Sequence, residues 1–493
     1  MTVTLDDQLS DATRAFLSSS RGMVIGSDTS VAAASGETIA VYDPATGTEI
    51  ARVPSADKAD VDKAVAAARQ AFDTGAWSKI PPMFQARSMQ KFADLIEANS
   101  EQLSQLETLD VGKPLGQSMM EVFGCAELIR YYAGWTTKIH GDVNPAGPSM
   151  LSYSLREPVG VCGQIIPWNF PIAMAAFKIG PALACGNTIV LKPAEQTPLT
   201  ALRLGELALE AGIPPGVFNV ITGYGETAGE ALVDHDQVDK IAFTGSTTVG
   251  RHIMSKASRT LKKVSLELGG KSPNIVFADA DLAQAAQAAM RGIWTNAGQW
   301  CVAGSRLLVE DKVHDEMVET IVSASKNLKV GPGLDASSQM GPLVSQEQFD
   351  RVTGYLDVGK AEATVALGGE RLGDAGWFVE PTVFTGVDND MRIAREEIFG
   401  PVVSVIPFSD EPDGLRIGND TEYGLAAAVW TRDVSRAHRA ARALKAGTVW
   451  VNTYGDFDFA TSFGGYKQSG FGRELGRHSI DMYTQIKSVM VKL

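Results

Sequence analysis

"VGVCGQIIP" at residues 159–167, "IAMAAFKIGPALACG" at 172–186, "NTIVLKP" at 187–193 and "TPLTALRLGELALEAG" at 197–212 decide the fold. The first and third are short apolar runs rich in β-branched residues, which is how buried strands read. The second and fourth are longer and carry their apolar residues at helical spacing. The alternation continues through "GVFNVITG" (216–223), "ETAGEALVDH" (226–235), "DKIAFTG" (239–245), "STTVGRHIMSKAS" (246–258) and "KKVSLEL" (262–268). Each helix then serves as a crossover between parallel strands. This predicts an α/β chain whose ligands sit at the carboxyl ends of the strands.

Outward from this core, a second strand-and-helix series begins after Ser272 with "PNIVFAD", "DLAQAAQAAMRGIWTNAG", "SRLLVED" and "HDEMVETIVSASKNL", and runs to about Asn452. Upstream, a short lead helix precedes β-rich segments, including "IAVYDPATGTEIARVP" with a turn at Asp43–Gly47. Residues 57–76 read as an amphipathic helix, and roughly 82–135 as further helix. The tail "HSIDMYTQIKSVMVKL" ends in an apolar, β-branched stretch whose edge needs a partner.

A chain of 493 residues, 44% hydrophobic and 21% charged, has room for two or three domains. The net charge of −14 argues against a nucleic-acid partner. The N-terminal "MTVTLDDQLSDATRAF" has no signal-peptide h-region, and no apolar run reaches membrane-spanning length. Cys125, Cys162, Cys185 and Cys301 are far apart with no CxxC, which points to a reducing, cytoplasmic setting. The six histidines are scattered without HExxH, so no metal site is expected.

Several loops of this framework carry residues suited to chemistry. "GYGETAG" (223–229) and "GSTTVG" (245–250) each follow a strand and open a helix. Both read as phosphate cradles or as ordinary tight turns, since neither is the GxGxxG fingerprint. Lys192 and Glu195 in "VLKPAE" stand just past a strand end, as ribose contacts or as a solvated pair. Asn169 in "PWNFP" (167–171) is an oxyanion donor or the cap of the next helix. Glu267 in "LELGGKSPN" is a general base or a salt-bridged surface carboxylate. "EEIFGPV" (396–402) and "FGGYKQSGFGRELG" (463–476) read as structured loops of the kind that build sites. Cys301 in "TNAGQWCVAGSR" (295–306) lies among small and amide residues, as a nucleophile or a packed thiol. The other three cysteines read as core.

Taken together, "GQWC", "LELGGKSP", "PWNFP", "KPAEQTP", "FTGSTTVG", "EEIFGPV" and "FGGYKQSGFGRELG" resemble the NAD(P)-dependent aldehyde dehydrogenase superfamily, in order and across nearly the whole chain. The resemblance implies a Rossmann-like NAD domain (1–135 and 157–266), an α/β catalytic domain (267–467) and a small β oligomerisation segment (136–156 and 478–493). That segment would combine a hairpin near 136–156 with the C-terminal strand, which would pair with a partner subunit in a homodimer or homotetramer. The implied reaction is oxidation of an aldehyde to the carboxylic acid through a Cys301 thiohemiacetal and thioester. Asn169 and the Cys301 N–H would hold the oxyanion, and Glu267 would activate the hydrolytic water. The implied cofactor is NAD, with NADP disfavoured by Glu195. Lys192 and Glu195 fall at the adenosine ribose, Gly225 under the adenine side and Ser246 at the pyrophosphate. Ile166 and Trp168 line the cofactor, Glu397 meets the nicotinamide ribose, and Phe399 packs near the ring.

Phe170, Phe177, Trp294, Trp300, Phe457 and Phe463 fall on the implied substrate tunnel, with Phe459 close by. Such rings suit an apolar or aromatic aldehyde. With Asp456 and Asp458 among them, they also suit a betaine or amino aldehyde. A semialdehyde bearing a carboxylate would need an Arg or Lys that the sequence does not place. CoA-acylating relatives generally lack a glutamate where Glu267 sits. A catalytically silent binding protein on the same fold is opposed by Cys301, Asn169 and Glu267 standing together. Ser462 replaces a proline common before "FGGYK", and Trp300 is bulky; both bear on substrate choice.

Overall fold

The computed structural model describes residues 8–493. Its first sheet has eight strands in the order Gly470–Phe471, Lys263–Glu267, Lys240–Thr244, Val161–Ile165, Thr188–Lys192, Phe218–Val220, Met23–Ile25 and Asp28–Val31. The five central strands are parallel, with Val161 opposite Thr188 and Lys240 opposite Cys162. Both faces are covered: Ile189 and Leu191 enter one apolar cluster and Val190 the other. The chain starts at Val161–Ile165, builds outward to Phe218–Val220, then returns to the other flank at Lys240–Thr244. Strand order reverses there, which opens a crevice at the carboxyl ends. Residues 166–170 and 245–246 leave the two strands that flank it.

The second sheet has seven strands, in the order Thr364–Leu367, Thr382–Thr385, Val402–Phe408, Arg306–Glu310, Pro273–Val276, Ala426–Trp430 and Thr448–Val451. All pairs are parallel except the one made by Thr364–Leu367. Residues 268–272 alone carry the chain from the strand Lys263–Glu267 of the first sheet to Pro273–Val276 of the second.

Local signals set the helices. Asp57 caps Lys58–Thr74 in a reciprocal capping box with Asp60, and Gly75 ends it at φ 76°. The 82–135 stretch is three helices, Pro82–Ala98, Ser100–Val111 and Leu115–Ala133. Gly112, at φ 90°, ends the second, and Pro114 precedes the third. "ETAGEALVDH" opens with a π turn over Gly225–Gly229 before the short helix Glu230–Asp234. The helix expected through "TNAG" stops at Trp294.

The C-terminal strand combines with the upstream hairpin, as expected. The C-terminal strand Thr484–Lys492 pairs with Met150–Pro158 of its own chain, from Thr484 opposite Pro158 to Lys492 opposite Met150. Val143–Asn144 completes that three-stranded sheet. The upstream hairpin supplies a ready antiparallel edge, so the strand is satisfied on one side without another subunit. Its other edge carries no strand among the described residues. No helix among them is long and apolar enough to cross a membrane.

Candidate active site

A cavity of about 890 Å³ lies between the two sheets. Asn169, Thr244 and Ser246 reach it from the carboxyl edge of the first sheet. Gly269, Cys301 and Glu397 reach it from loops that precede strands of the second. The first sheet meets the carboxyl-edge expectation, while the second offers mainly its amino edge, with Gly455, Asp456 and Phe457 added from beyond the strand Thr448–Val451. The loops before its strands are long enough to bend into the crevice.

Cys301 owes its position to strained backbone. After Trp294 the chain makes a left-handed turn, with Asn296 at φ 49°, Ala297 at φ 53° and Gly298 at φ 73°. Two non-glycine residues there cost roughly 1–2 kcal/mol each. Hydrogen bonds hold the turn: Asn296 Nδ2 donates to Asn169 O at 2.8 Å, and Asn296 N to Gln117 Oε1 at 3.2 Å. Gln299 Oε1 accepts from Val344 N at 2.9 Å. Gly298 is required, because a Cβ there would stand 1.9 Å from Gly400 O. The result is a partly exposed thiol, whereas Cys125, Cys162 and Cys185 are buried. Burial pushes the Cys301 thiol up, and the carboxylates of Glu397 and Glu267 push it further; its own N–H and that of Val302 pull the other way.

Asn169 does not cap a helix. Pro171–Ala184 begins at Phe170 without a side-chain cap. The Asn169 amide donates to Gln299 O at 3.0 Å and lines the cavity, which leaves its second N–H available. Its carbonyl accepts from Lys113 Nζ at 3.0 Å. Lys113 is buried, 4.4 Å from the centre of the Phe170 ring. It is neutralised by Glu121 at 2.7 and 2.8 Å and by Glu107 at 3.4 Å. Burial raises the Glu121 carboxyl to about 8 despite Lys113, and the Glu107 charge adds to the rise.

Glu267 is no surface carboxylate: it is 3% exposed, and neither oxygen has a geometrically sound hydrogen-bond partner. Desolvation holds its carboxyl well above the usual range; Glu474 adds to this, while Lys178 and Arg473 oppose it. Its neighbours Leu268 and Gly269 line the cavity and its own side chain does not. The carboxylate lies behind the wall, where a Cβ on Gly464 would approach Oε1 to 2.8 Å. Buried Lys178 nearby donates to Thr244 Oγ1 at 2.7 Å and to Glu474.

One half of the cavity is aromatic. Phe170 and Trp300 stand 6.3 Å apart, Trp300 and Phe457 6.3 Å, Phe457 and Phe463 5.6 Å, and Phe463 and Phe177 6.4 Å. Phe459 also lines it. Trp294 does not; its indole donates to Ser325 Oγ at 3.1 Å and faces a separate recess. This corrects the expectation that Trp294 is a tunnel ring: its indole is tied to Ser325 in the recess, although Arg291, one helical turn earlier, lines both cavities.

The other half suits a dinucleotide. Gly245 and Ser246 line it at the start of the helix Thr247–Ala257, and Ser246 Oγ caps that helix by accepting from Val249 N. A Cβ at Gly245 would stand 2.5 Å from the Phe243 ring, and one at Gly269 2.3 Å from Glu397 Oε2. Only glycine lets the backbone come so close. Glu397 accepts from Gly270 N at 2.9 Å and is raised by burial to about 7. Trp168 packs edge-on to Phe399, centres 5.2 Å apart, and Phe399 is held at φ 62°. Farther out, Lys192 is buried, its Nζ 2.7 Å from Pro193 O and 3.6 Å from half-buried Glu195. Ile166 is buried and donates its N–H to Lys192 O at 3.1 Å. Gly225 is exposed with open space beside it.

Sequence reading did not single out Lys113, Glu121, Lys178 or Arg291. A lone lysine in the apolar helix "IAMAAFKIG" was a signal that Lys178 is buried and paired. Lys113 gave no comparable sign, because its partners come from distant segments.

The aldehyde dehydrogenase family model matches residues 31–489. An aldehyde dehydrogenase of Emericella nidulans is 52% identical over 460 residues, 93% of this chain and 92% of that protein. Human retinal dehydrogenase 2 is 48% identical over 463 residues, 93% and 89% of the two chains. An aldehyde dehydrogenase from Bacillus cereus, solved as its NAD+ complex, superposes with a TM-score of 0.97 at 49% identity, covering 98% of this chain and 99% of that one. A thiol at the floor of a two-sided cavity and likeness along nearly the full length lead to one conclusion: this chain belongs to the aldehyde dehydrogenase family, enzymes that oxidise the aldehyde group.

Proposed function

We propose that the chain oxidises an aldehyde with an apolar or aromatic body through a covalent bond to Cys301. The observation that carries this reading is the partly exposed sulfur where the aromatic half of the cavity meets the glycine-lined half. NAD is the electron acceptor of this enzyme, and when bound it takes up hydride. The residues that would hold it are Ser246, Glu397, Phe399 and Trp168 within the cavity, with Ile166, Lys192, Glu195 and Gly225 beyond it. Glu195 beside the ribose would repel a 2′-phosphate.

The residues divide the work as follows. Cys301 attacks the carbonyl carbon as thiolate to give a thiohemiacetal. The free Asn169 N–H and the Cys301 backbone N–H donate to the oxyanion. After the thioester forms, Glu267 takes a proton from water, and the acid leaves. Glu267 would reach the thioester by swinging from behind the wall, away from the Gly465 backbone and from Lys178 and Arg473. Asn169→Ala is expected to lower kcat by about 10²–10³ with little change in KM, measured by NADH formation; a change in KM alone would contradict the donor role.

Cys301 and Glu267 react deprotonated, and burial raises both. Raising the pH therefore populates the reactive forms. The expected kcat/KM profile rises with pH from the acid side through neutrality, and an acid optimum would contradict it. A panel of aliphatic, aromatic, terpenoid and amino aldehydes, run with NAD and with NADP, tests the substrate reading. Preference for amino or betaine aldehydes would keep the mechanism and overturn the apolar tunnel.

The proposed division is an NAD-binding unit (1–135 and 157–266), a catalytic unit (267–467) and an assembly segment (136–156 and 478–493). Sheet membership supports it, with Gly470–Phe471 pairing back to the first sheet. Ile486 and Met490 are exposed beside the open edge of Thr484–Lys492, which favours a homodimer or homotetramer through that sheet. Sedimentation of a variant with Ile486 and Met490 changed to lysine tests this. Four unpaired cysteines favour a cytoplasmic location.

A further inference from the structure

Beside the main cavity lies a recess of about 430 Å³. Gln117, Arg291 and Thr295 line both, so these three side chains form the partition between them. Arg291 is the one charged residue among the described residues that line the recess.

Donor accounting gives the recess its chemistry. Arg291 spends Nη2 on Asp456 Oδ1 at 3.0 Å, with Gly455 O at 3.4 Å, which leaves Nε and Nη1 uncommitted. Gln117 Oε1 accepts from Asn296 N at 3.2 Å, and Gln339 Oε1 accepts from Lys329 N at 3.0 Å. A carboxamide whose oxygen is held by a backbone N–H must present its NH₂ group outward. Ser325 Oγ accepts from the Trp294 indole, so its own proton is free to donate. The recess thus gathers N–H and O–H donors beside Arg291, with the carboxamides of Gln287 and Asn327 also on its wall, over apolar Met290, Trp294 and Leu328. Asp456 lines the main cavity and not the recess, and it is held ionised by Thr453 and Arg291. Such a site suits a ligand that only accepts, and a planar carboxylate meets a guanidinium fork best.

We propose that the recess receives the far-end carboxylate of an ω-carboxy aldehyde whose aldehyde end reaches Cys301 through the apolar tunnel. The proposal rests on the Cys301 reading and narrows its substrate class: aldehyde at one end, apolar middle, anion at the other.

The test compares kcat/KM for ω-carboxy aldehydes with that for methyl-terminated aldehydes of equal length, as a ratio within each protein. In the parent enzyme the ratio is expected to favour the carboxylate by about tenfold or more over a limited range of lengths. Arg291→Met, which removes the charge, and Leu328→Trp, which fills the recess, should each return it to about one. A ratio near one in the parent, or one that survives both substitutions, overturns the proposal. A free carboxylate added during propanal oxidation separates a substrate tail from an effector. A response lost in Leu328→Trp, without any ω-carboxy preference, would overturn the substrate-tail assignment. Propanal turnover that persists in Cys301→Ala would instead strike the underlying reading, and the ratio measured on the same samples would show which of the two had failed.

Discussion

Cys301→Ala is expected to lower kcat for aldehyde oxidation by about 10⁴-fold or more while leaving NAD binding unchanged. The expectation is large because no substitute nucleophile is available. Cys162 is fully buried in a strand of the first sheet, and Cys125 and Cys185 are buried in or beside helices. None of the three lines the cavity, so none stands where a bound aldehyde could be attacked. The variant should also fold, since a partly exposed thiol exchanged for a methyl leaves no unsatisfied group. Single-turnover NADH formation and NAD titration on one preparation separate chemistry from binding. Residual turnover within tenfold of the parent would remove the sulfur from its role.

Lys113→Met should be the most damaging single change away from the reacting atoms. It leaves Glu107 and Glu121 facing each other in the interior, and breaking such a buried pair typically costs about 3–5 kcal/mol. The sign with pH follows from Glu121, whose carboxyl is already raised above its unfolded value. A raised acid stabilises the fold below its unfolded pKa and loses that contribution as pH climbs through the folded value. Without Lys113 the rise is steeper, so the deficit should widen between about pH 5 and pH 8. Adding Glu121→Gln and Glu107→Gln should restore much of the loss. Urea unfolding of parent, single and triple variants tests this, and a single variant as stable as the parent at pH 8 would refute it. Turnover should fall as well, because Lys113 holds the Asn169 carbonyl.

The loops that meet at the cavity were legible because their composition is costly elsewhere. "PWNFP" sets an amide between aromatics and prolines, "LELGG" a carboxylate before paired glycines, "GQWC" a thiol after a glycine and an aromatic, and "EEIFG" two carboxylates before an aromatic and a glycine; a solvated loop has no use for such combinations. The parallel sheets were legible from alternation alone. What could not be read depends on meetings across long separations. Lys113 is 56 residues from Asn169, and Lys178 is 296 residues from Glu474. Trp294 was placed in the tunnel by resemblance, which does not show that its indole is tied to Ser325 in the neighbouring recess. Arg291, absent from the sequence reading, gained its meaning from which of its nitrogens are already taken. The C-terminal strand announced a need for a partner, and the hairpin expected to join it supplies one edge.

Residues 268–272 are also a seam. On one side lie the amide of Asn169 and the carboxylate of Glu267; on the other lie the thiol of Cys301 and the carboxylate of Glu397. A hybrid spliced there from two relatives would inherit its nucleophile from one parent and its oxyanion donor from the other. The strands Gly470–Phe471 and Thr484–Lys492 and the Lys178–Glu474 pair would also join segments of different parents. Exchange at this seam is therefore limited both by the fit of the cavity wall and by the C-terminal segments that return to the first half.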